Sequence, residues 1–127
     1  MYKVRVEDDF AAAHFLQDYH GKCENLHGHN YKVFVYLKGE FLNEGGMLYD
    51  FSVLKQNLKS VLKLLDHTNL NDLQEDGKFV FAQNPSAERI AKFIFDKLLC
   101  ASSDLQNLLY RVDVFETEKN RASYFLC

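Results

Sequence analysis

The run from His27 to Gly39, His-Gly-His-Asn-Tyr-Lys-Val-Phe-Val-Tyr-Leu-Lys-Gly, constrains the fold more than any other part of the chain. It is rich in β-branched and aromatic residues and has no interior proline, so it reads as one long β-strand. A strand alternates its side chains between two faces. One face of this strand must pack on a core, and the other carries Phe34 and Tyr36, which are too aromatic to face water comfortably. A second strand precedes it, because Tyr2, Val4 and Val6 alternate with Lys3, Arg5 and Glu7, and the pattern runs on toward His14. A loop from about Leu16 to Leu26 joins the two.

Beyond Gly45-Gly46 the period changes from two to about 3.6. Ser52 is placed to cap a helix whose Leu54, Leu58, Val61, Leu62 and Leu65 form one face, and which stops near Asp66-His67. After a polar loop through Asp76 and Gly77, a second helix is expected with Asn84 as cap, Pro85 in its first turn and Glu88 complementing the dipole. Its stripe is Ala87, Ile90, Ala91, Ile94 and Leu98. Strands over about 109–117 and 122–126 close the chain. The order β-β-α-α-β-β predicts an α+β fold in which two helices cover one face of an antiparallel sheet. Covering the aromatic face then calls for a second copy, so a homo-oligomer is expected.

With 127 residues, one proline and no Gly/Ser-rich stretch, residues 1–127 read as a single domain. The formal net charge is −3 and the basic residues are scattered, which argues against nucleic acid as a partner. No apolar run is long enough for a membrane span or a signal segment, so a cytoplasmic location with no membrane partner is expected. Three cysteines form no pairing pattern and are expected to be reduced. Cys100, on a helix, reads as a small buried hydrophobe.

His27 and His29 flank a glycine at the start of the strand, so both imidazoles lie on one face, about 7 Å apart at the backbone. Gly28 leaves the opposite side free for close approach. His14 ends the first strand, and antiparallel pairing can bring it beside them. Three histidines suffice for a catalytic zinc with an open fourth position. Cys23, four residues before His27, either closes that position or stands beside it as a reactive thiol. His20 reads as a solvated loop residue, whereas His67 reads either as a ring favoured by a helix C-terminus or as a functional group. On the third strand Tyr110, Val112, Val114 and Glu116 are expected on one face, ending an apolar side in a carboxylate. Such a group needs a lysine, an arginine, or a ligand with two adjacent N–H donors.

These residues together resemble the 6-carboxy- and 6-pyruvoyl-tetrahydropterin synthase family along nearly the whole chain. The resemblance is carried by Ala13-His14, Cys23-Glu-Asn-Leu-His27-Gly-His29, Gly46-Met-Leu-Tyr-Asp50-Phe51, Leu65-Asp66-His67, Leu70-Asn71, Asn84-Pro-Ser-Ala-Glu88 and Glu116-Thr117. It implies the tunnelling fold, with trimers closing a barrel and stacking into a hexamer with active sites between subunits. It implies Zn2+ on His14, His27 and His29, Cys23 as proton acceptor, Asp66 and His67 as relay partners from a neighbouring subunit, and Glu116 as anchor of the pterin ring. The implied substrate is 7,8-dihydroneopterin triphosphate. The three residues between Cys23 and His27 are similar to the carboxy-forming branch, which leads toward queuosine; the pyruvoyl-forming branch is the alternative, and a non-catalytic zinc-stabilised module is a further one. One departure from the family pattern is the stretch 72–83, longer and more acidic than the family pattern suggests.

Overall fold

The computed structural model describes residues 1–17 and 20–127, apart from the side chain of Cys23. Two long strands, β1 (Tyr2–His14) and β2 (His27–Gly39), pair antiparallel along their whole length, from Tyr2 opposite Gly39 to His14 opposite His27. On the far side of β2 lie β6 (Leu109–Thr117) and β7 (Asn120–Phe125), also antiparallel. The expected α+β plan of four strands and two helices is therefore present. The sheet gains a fifth member, the two-residue β3 (Thr68–Asn69), which pairs parallel to β1 at Ala12 and Ala13. The parallel edge strand arises because the chain leaving the first helix is pinned by the His67 N–H, which donates to the Ala11 carbonyl at 2.6 Å.

Helices α1 (Phe51–Leu62) and α2 (Ala87–Ala101) cover one sheet face. Leu54, Leu58, Val61 and Leu62 of α1, with Leu65 just beyond it, are buried, as are Ile90, Ala91, Ile94 and Leu98 of α2. They pack on Val6, Phe10, Val33, Val35, Val112 and Val114 from the sheet. Each large apolar side chain removed from water in this layer contributes about 1.5–3 kcal/mol. Each cap differs from expectation by two residues. Asp50, not Ser52, caps α1, its carboxylate accepting from the Ser52 N–H at 2.8 Å. Ser86, not Asn84, caps α2 by accepting from Arg89 N–H at 3.3 Å. Proline two residues before the helix start sets the entry, and Asn84 is free for another task.

A β-bulge corrects the expected face of Tyr110. Tyr36 pairs with Arg111 but its neighbour Leu37 pairs with Leu109, so Tyr110 is the extra residue. Leu109 takes the core position, and the Tyr110 ring turns to the other face, 6.1 Å from Tyr36. Only Val112, Val114 and Glu116 keep the inward parity. That outer face is also less bare than its sequence suggests. The Arg5 guanidinium lies 4.7 Å from the Phe34 ring and that of Arg111 lies 5.2 Å from Tyr36.

The acidic stretch after β3 is not an irregular loop. Gln74–Glu75 (β4) and Lys78–Phe79 (β5) form a hairpin across Asp76-Gly77, both with positive φ, 51° and 75°. That is the two-residue turn an Asp-Gly pair favours. Its tip is solvated, and Phe81 just after it enters the core. Cys100 corrects another expectation: it is exposed, at the solvent side of the last turn of α2. No helix among the described residues is long and apolar enough to cross a membrane.

Candidate metal centre

Register and parity together assemble the histidines. Inward-facing residues of β1 are even-numbered and those of β2 odd-numbered, and His14 pairs directly with His27 while Ala12 pairs with His29. The three rings therefore meet at one end of the core face, with centroids 4.6, 4.8 and 5.1 Å apart. His14 is 1% exposed and the other two are half-buried. Glu116 joins them from β6, its Oε1 3.0 Å from His29 Nε2 and 3.9 Å from His14 Nε2. One ligand atom from each of the four residues lies within 4.8 Å of the others.

The hydrogen bonds around the rings decide what those atoms can do. His14 Nδ1 faces the Pro85 carbonyl at 2.9 Å, and His27 Nδ1 faces the Asn25 carbonyl at 2.6 Å. A carbonyl only accepts, so in the neutral form each ring carries its proton on Nδ1 and presents a lone pair on Nε2. Those two Nε2 atoms stand 3.0 Å apart. Two lone pairs at that separation repel each other unless a cation lies between them. Nitrogens bound at 2.0–2.1 Å to one tetrahedral ion stand about 3.3 Å apart, close to this spacing. His29 Nε2 is buried and has no hydrogen-bond partner among the described residues. Burial lowers the His29 pKa below its ordinary 6.5, outweighing the opposite pull of Glu116, and the other two histidines push in the same direction as burial. Imidazoles oriented through their outer nitrogens are what a transition-metal site requires, and the residues fit a divalent cation.

The other expected site residues are distributed differently. Cys23 lies in the short turn Lys22–Glu24 that leads into β2, and its side chain is outside the described residues. Asp66 and His67 are brought together but not to the histidine cluster of the same chain. Asp66 Oδ1 accepts from Ala11 N–H at 2.9 Å and its Oδ2 sits 2.9 Å from His67 Nδ1. The Ala11 N–H and His67 together hold the Asp66 carboxyl below its ordinary range. His67 has a left-handed backbone, φ 58°, and a side chain 83% exposed. With Ala11, Ala13, Gly28 and Asn30 it borders an open depression of about 520 Å³. A Cβ placed on Gly28 would meet nothing nearer than the Ala12 carbonyl at 3.8 Å, so the open side of that glycine faces this depression. His20 is a surface residue, 3.8 Å from Glu24.

Sequence reasoning missed the residues that hold the ligands. Tyr31 is fully buried, stacks on Phe10 and puts its hydroxyl 3.1 Å from His14 Nδ1. The period-two pattern His27, His29, Tyr31 already places that hydroxyl on the same face. Asn71 was legible only as a motif member, and Asn84 was expected as a helix cap. The Asn71 amide bonds both the N–H and the carbonyl of Phe15, at 2.9 and 3.0 Å, and Asn84 does the same for Gln17 at 2.7 and 3.3 Å. These amides continue the edge of β1 past His14 as if another strand were there.

The family profile described as 6-pyruvoyl tetrahydropterin synthase matches residues 3–126. A Synechocystis protein named 6-carboxy-5,6,7,8-tetrahydropterin synthase is 39% identical over 130 residues, 98% of this chain and 94% of its own. A Caenorhabditis elegans protein named putative 6-pyruvoyl tetrahydrobiopterin synthase is 36% identical over 132 residues, 94% of this chain and 91% of its own. The solved structure of the C. elegans 6-pyruvoyl tetrahydropterin synthase superposes with a TM-score of 0.86 at 34% identity, covering 99% of this chain and 96% of that one.

Proposed function

The chain belongs to the 6-pyruvoyl tetrahydropterin synthase family, and on that premise we propose that it is a zinc-dependent carbon–carbon lyase. It converts 7,8-dihydroneopterin triphosphate and water to 6-carboxy-5,6,7,8-tetrahydropterin, acetaldehyde and triphosphate, on the route to queuosine. The observation that carries the metal part is the pair of free Nε2 lone pairs on His14 and His27, 3.0 Å apart and beside the unpartnered Nε2 of His29. The carboxy-forming reaction is supported by the three-residue spacing from Cys23 to His27 and by the Synechocystis relative.

His14, His27 and His29 hold the cation, and Pro85 and Asn25 fix the tautomers that let them do so. Bound there, zinc supplies a Lewis acid next to the proton to be removed. Cys23 takes that proton as the thiolate. Asp66 fixes the ring of His67 through Nδ1, leaving the other nitrogen to pass a proton. Because that pair faces outward from β1, it serves the site of a neighbouring copy. This reading goes with a homohexamer of two trimers working in the cytoplasm. Glu116 accepts the N–H pair of the pterin ring, holding the side chain in place for reaction.

A second reading, the pyruvoyl-forming elimination of triphosphate, draws on the C. elegans relatives. Incubation of the zinc-loaded protein with the substrate distinguishes the two. Acetaldehyde and triphosphate in equal amounts support the carboxy-forming reaction, whereas triphosphate alone supports the pyruvoyl-forming one. Release of neither by zinc-loaded protein refutes both and leaves the module without catalysis.

A further inference from the structure

Glu116 occupies a place that anchoring a pterin ring does not explain. It extends the inward face of β6 beyond Val112 and Val114, and its side chain is 26% exposed. Among the described residues no lysine or arginine lies within ion-pair distance of it; its charged-range neighbours are His29 and His14. As neutral rings His14 and His27 present only lone pairs on Nε2, because each Nδ1 faces a carbonyl. The Nε2 of His29 stands 3.0 Å from the carboxylate without the alignment of a hydrogen bond. Lone pairs from Oε1 and from the His14 and His27 nitrogens thus converge within 4.8 Å with no proton between them. A carboxylate turned toward nitrogen lone pairs is repelled by them, and a cation among these ligand atoms reverses the sign.

We infer that Glu116 is a reversible fourth donor to the cation held by the three histidines, and that it leaves the cation when the paired N–H donors of a pterin ring take the carboxylate. This rests on the proposed reading of the site as a zinc centre for a pterin. One carboxylate cannot serve both partners, since the oxygen that faces His29 is also needed for two-point recognition of the ring. Its partial exposure leaves room for the swing. Binding of the ring and opening of the fourth position then become one event. The resting site is closed and its cation's Lewis acidity is damped by the carboxylate, so it exposes a reactive metal only to a ligand that carries the ring. By linkage, a ring-only ligand weakens metal binding by the factor that metal weakens ring binding.

Cobalt-loaded protein tests this without reference to turnover, because the visible bands of the ion report its donor set. Metal affinity is read by competition with a chelator. Glu116→Gln is expected to bind cobalt and zinc on the order of 100-fold more weakly than the parent, at or beyond the 10–100-fold typical of outer-shell changes, and to show altered bands. Glu116→Asp keeps the charge but withdraws the carboxylate by one methylene, and its bands should resemble those of Glu116→Gln. Unsubstituted pterin should move the parent spectrum toward that of Glu116→Gln, whereas glycerol, which has hydroxyls but no ring, should leave it unchanged. Parent affinity and spectrum in Glu116→Gln, or a parent spectrum unmoved by saturating pterin, overturns the inference while leaving the zinc reading intact. Failure of the parent to take up cobalt, or equal uptake by His27→Ala, overturns the zinc reading itself and the inference with it. Thermal melts of the metal-free variants confirm that each is folded.

Discussion

Replacing Asp113 by alanine should destabilise the protein far more than a substitution on an outer sheet face ordinarily does. Asp113 has the parity of the face opposite the helices, yet it is 0% exposed. Its carboxylate accepts from Arg111 Nε at 2.7 Å, from the Ser123 hydroxyl at 2.6 Å and from the Tyr36 hydroxyl at 2.9 Å, with Arg121 at 3.7 Å. Removing it strands a part-buried guanidinium and two hydroxyls, and breaking a buried pair from one side costs about 3–5 kcal/mol. Unfolding entropy near 2.1 cal/mol/K per residue makes 1 kcal/mol worth about 4 °C in a chain of 127 residues. The expected drop in Tm is therefore about 11–19 °C, read by circular dichroism on metal-free protein at fixed protomer concentration. Acid dependence gives a second reading. Burial alone would raise the Asp113 pKa, but the bonds from Arg111, Ser123 and Tyr36 outweigh it and bring it below the ordinary 3.8. The contribution is thus fully present above the unfolded carboxylate pKa of about 3.9 and disappears as pH falls through the lower folded value. The parent and Asp113→Ala should converge in stability only in that acid range. A Tm loss under about 4 °C at neutral pH, or a gap unchanged on acidification, would refute the account.

Other outcomes follow from the site. Cys23→Ala should retain zinc by elemental analysis yet lose turnover, and loss of metal in that variant would make the thiol a ligand instead. His27→Ala should lose both metal and activity. Tyr31→Phe keeps the stack on Phe10 but removes the hydroxyl beside His14, so metal affinity should fall on the order of tenfold with little change in the metal-free Tm; an unchanged affinity would show that the Pro85 carbonyl alone orients the ring. Gly77→Ala puts a Cβ at φ 75° in the hairpin turn, costing about 1–2 kcal/mol, while cobalt binding by the distant histidines stays at the parent value.

What the chain's own order of residues determined is everything that depends on a local period. Alternation in Tyr2–His14 and His27–Gly39 placed His27, His29 and Tyr31 on one face, and three- and four-residue spacing defined both helix stripes, because strand and helix geometry repeat within a few residues. Motif order was enough to reach the family. Tertiary structure decided what depends on register and on partners distant in sequence. The pairing of His14 with His27 closes the metal group; the bulge at Tyr110 reverses a face that strict alternation misassigns; the Pro85 carbonyl, 71 residues from His14, selects its tautomer. Only β7 brings Ser123 and Arg121 to Asp113, and only the packed sheet sets Glu116 beside the imidazoles of His14, His27 and His29. A hydrogen bond or a shared cation needs coordinates to better than an ångström between distant segments, and only the packed sheet and helices supply that.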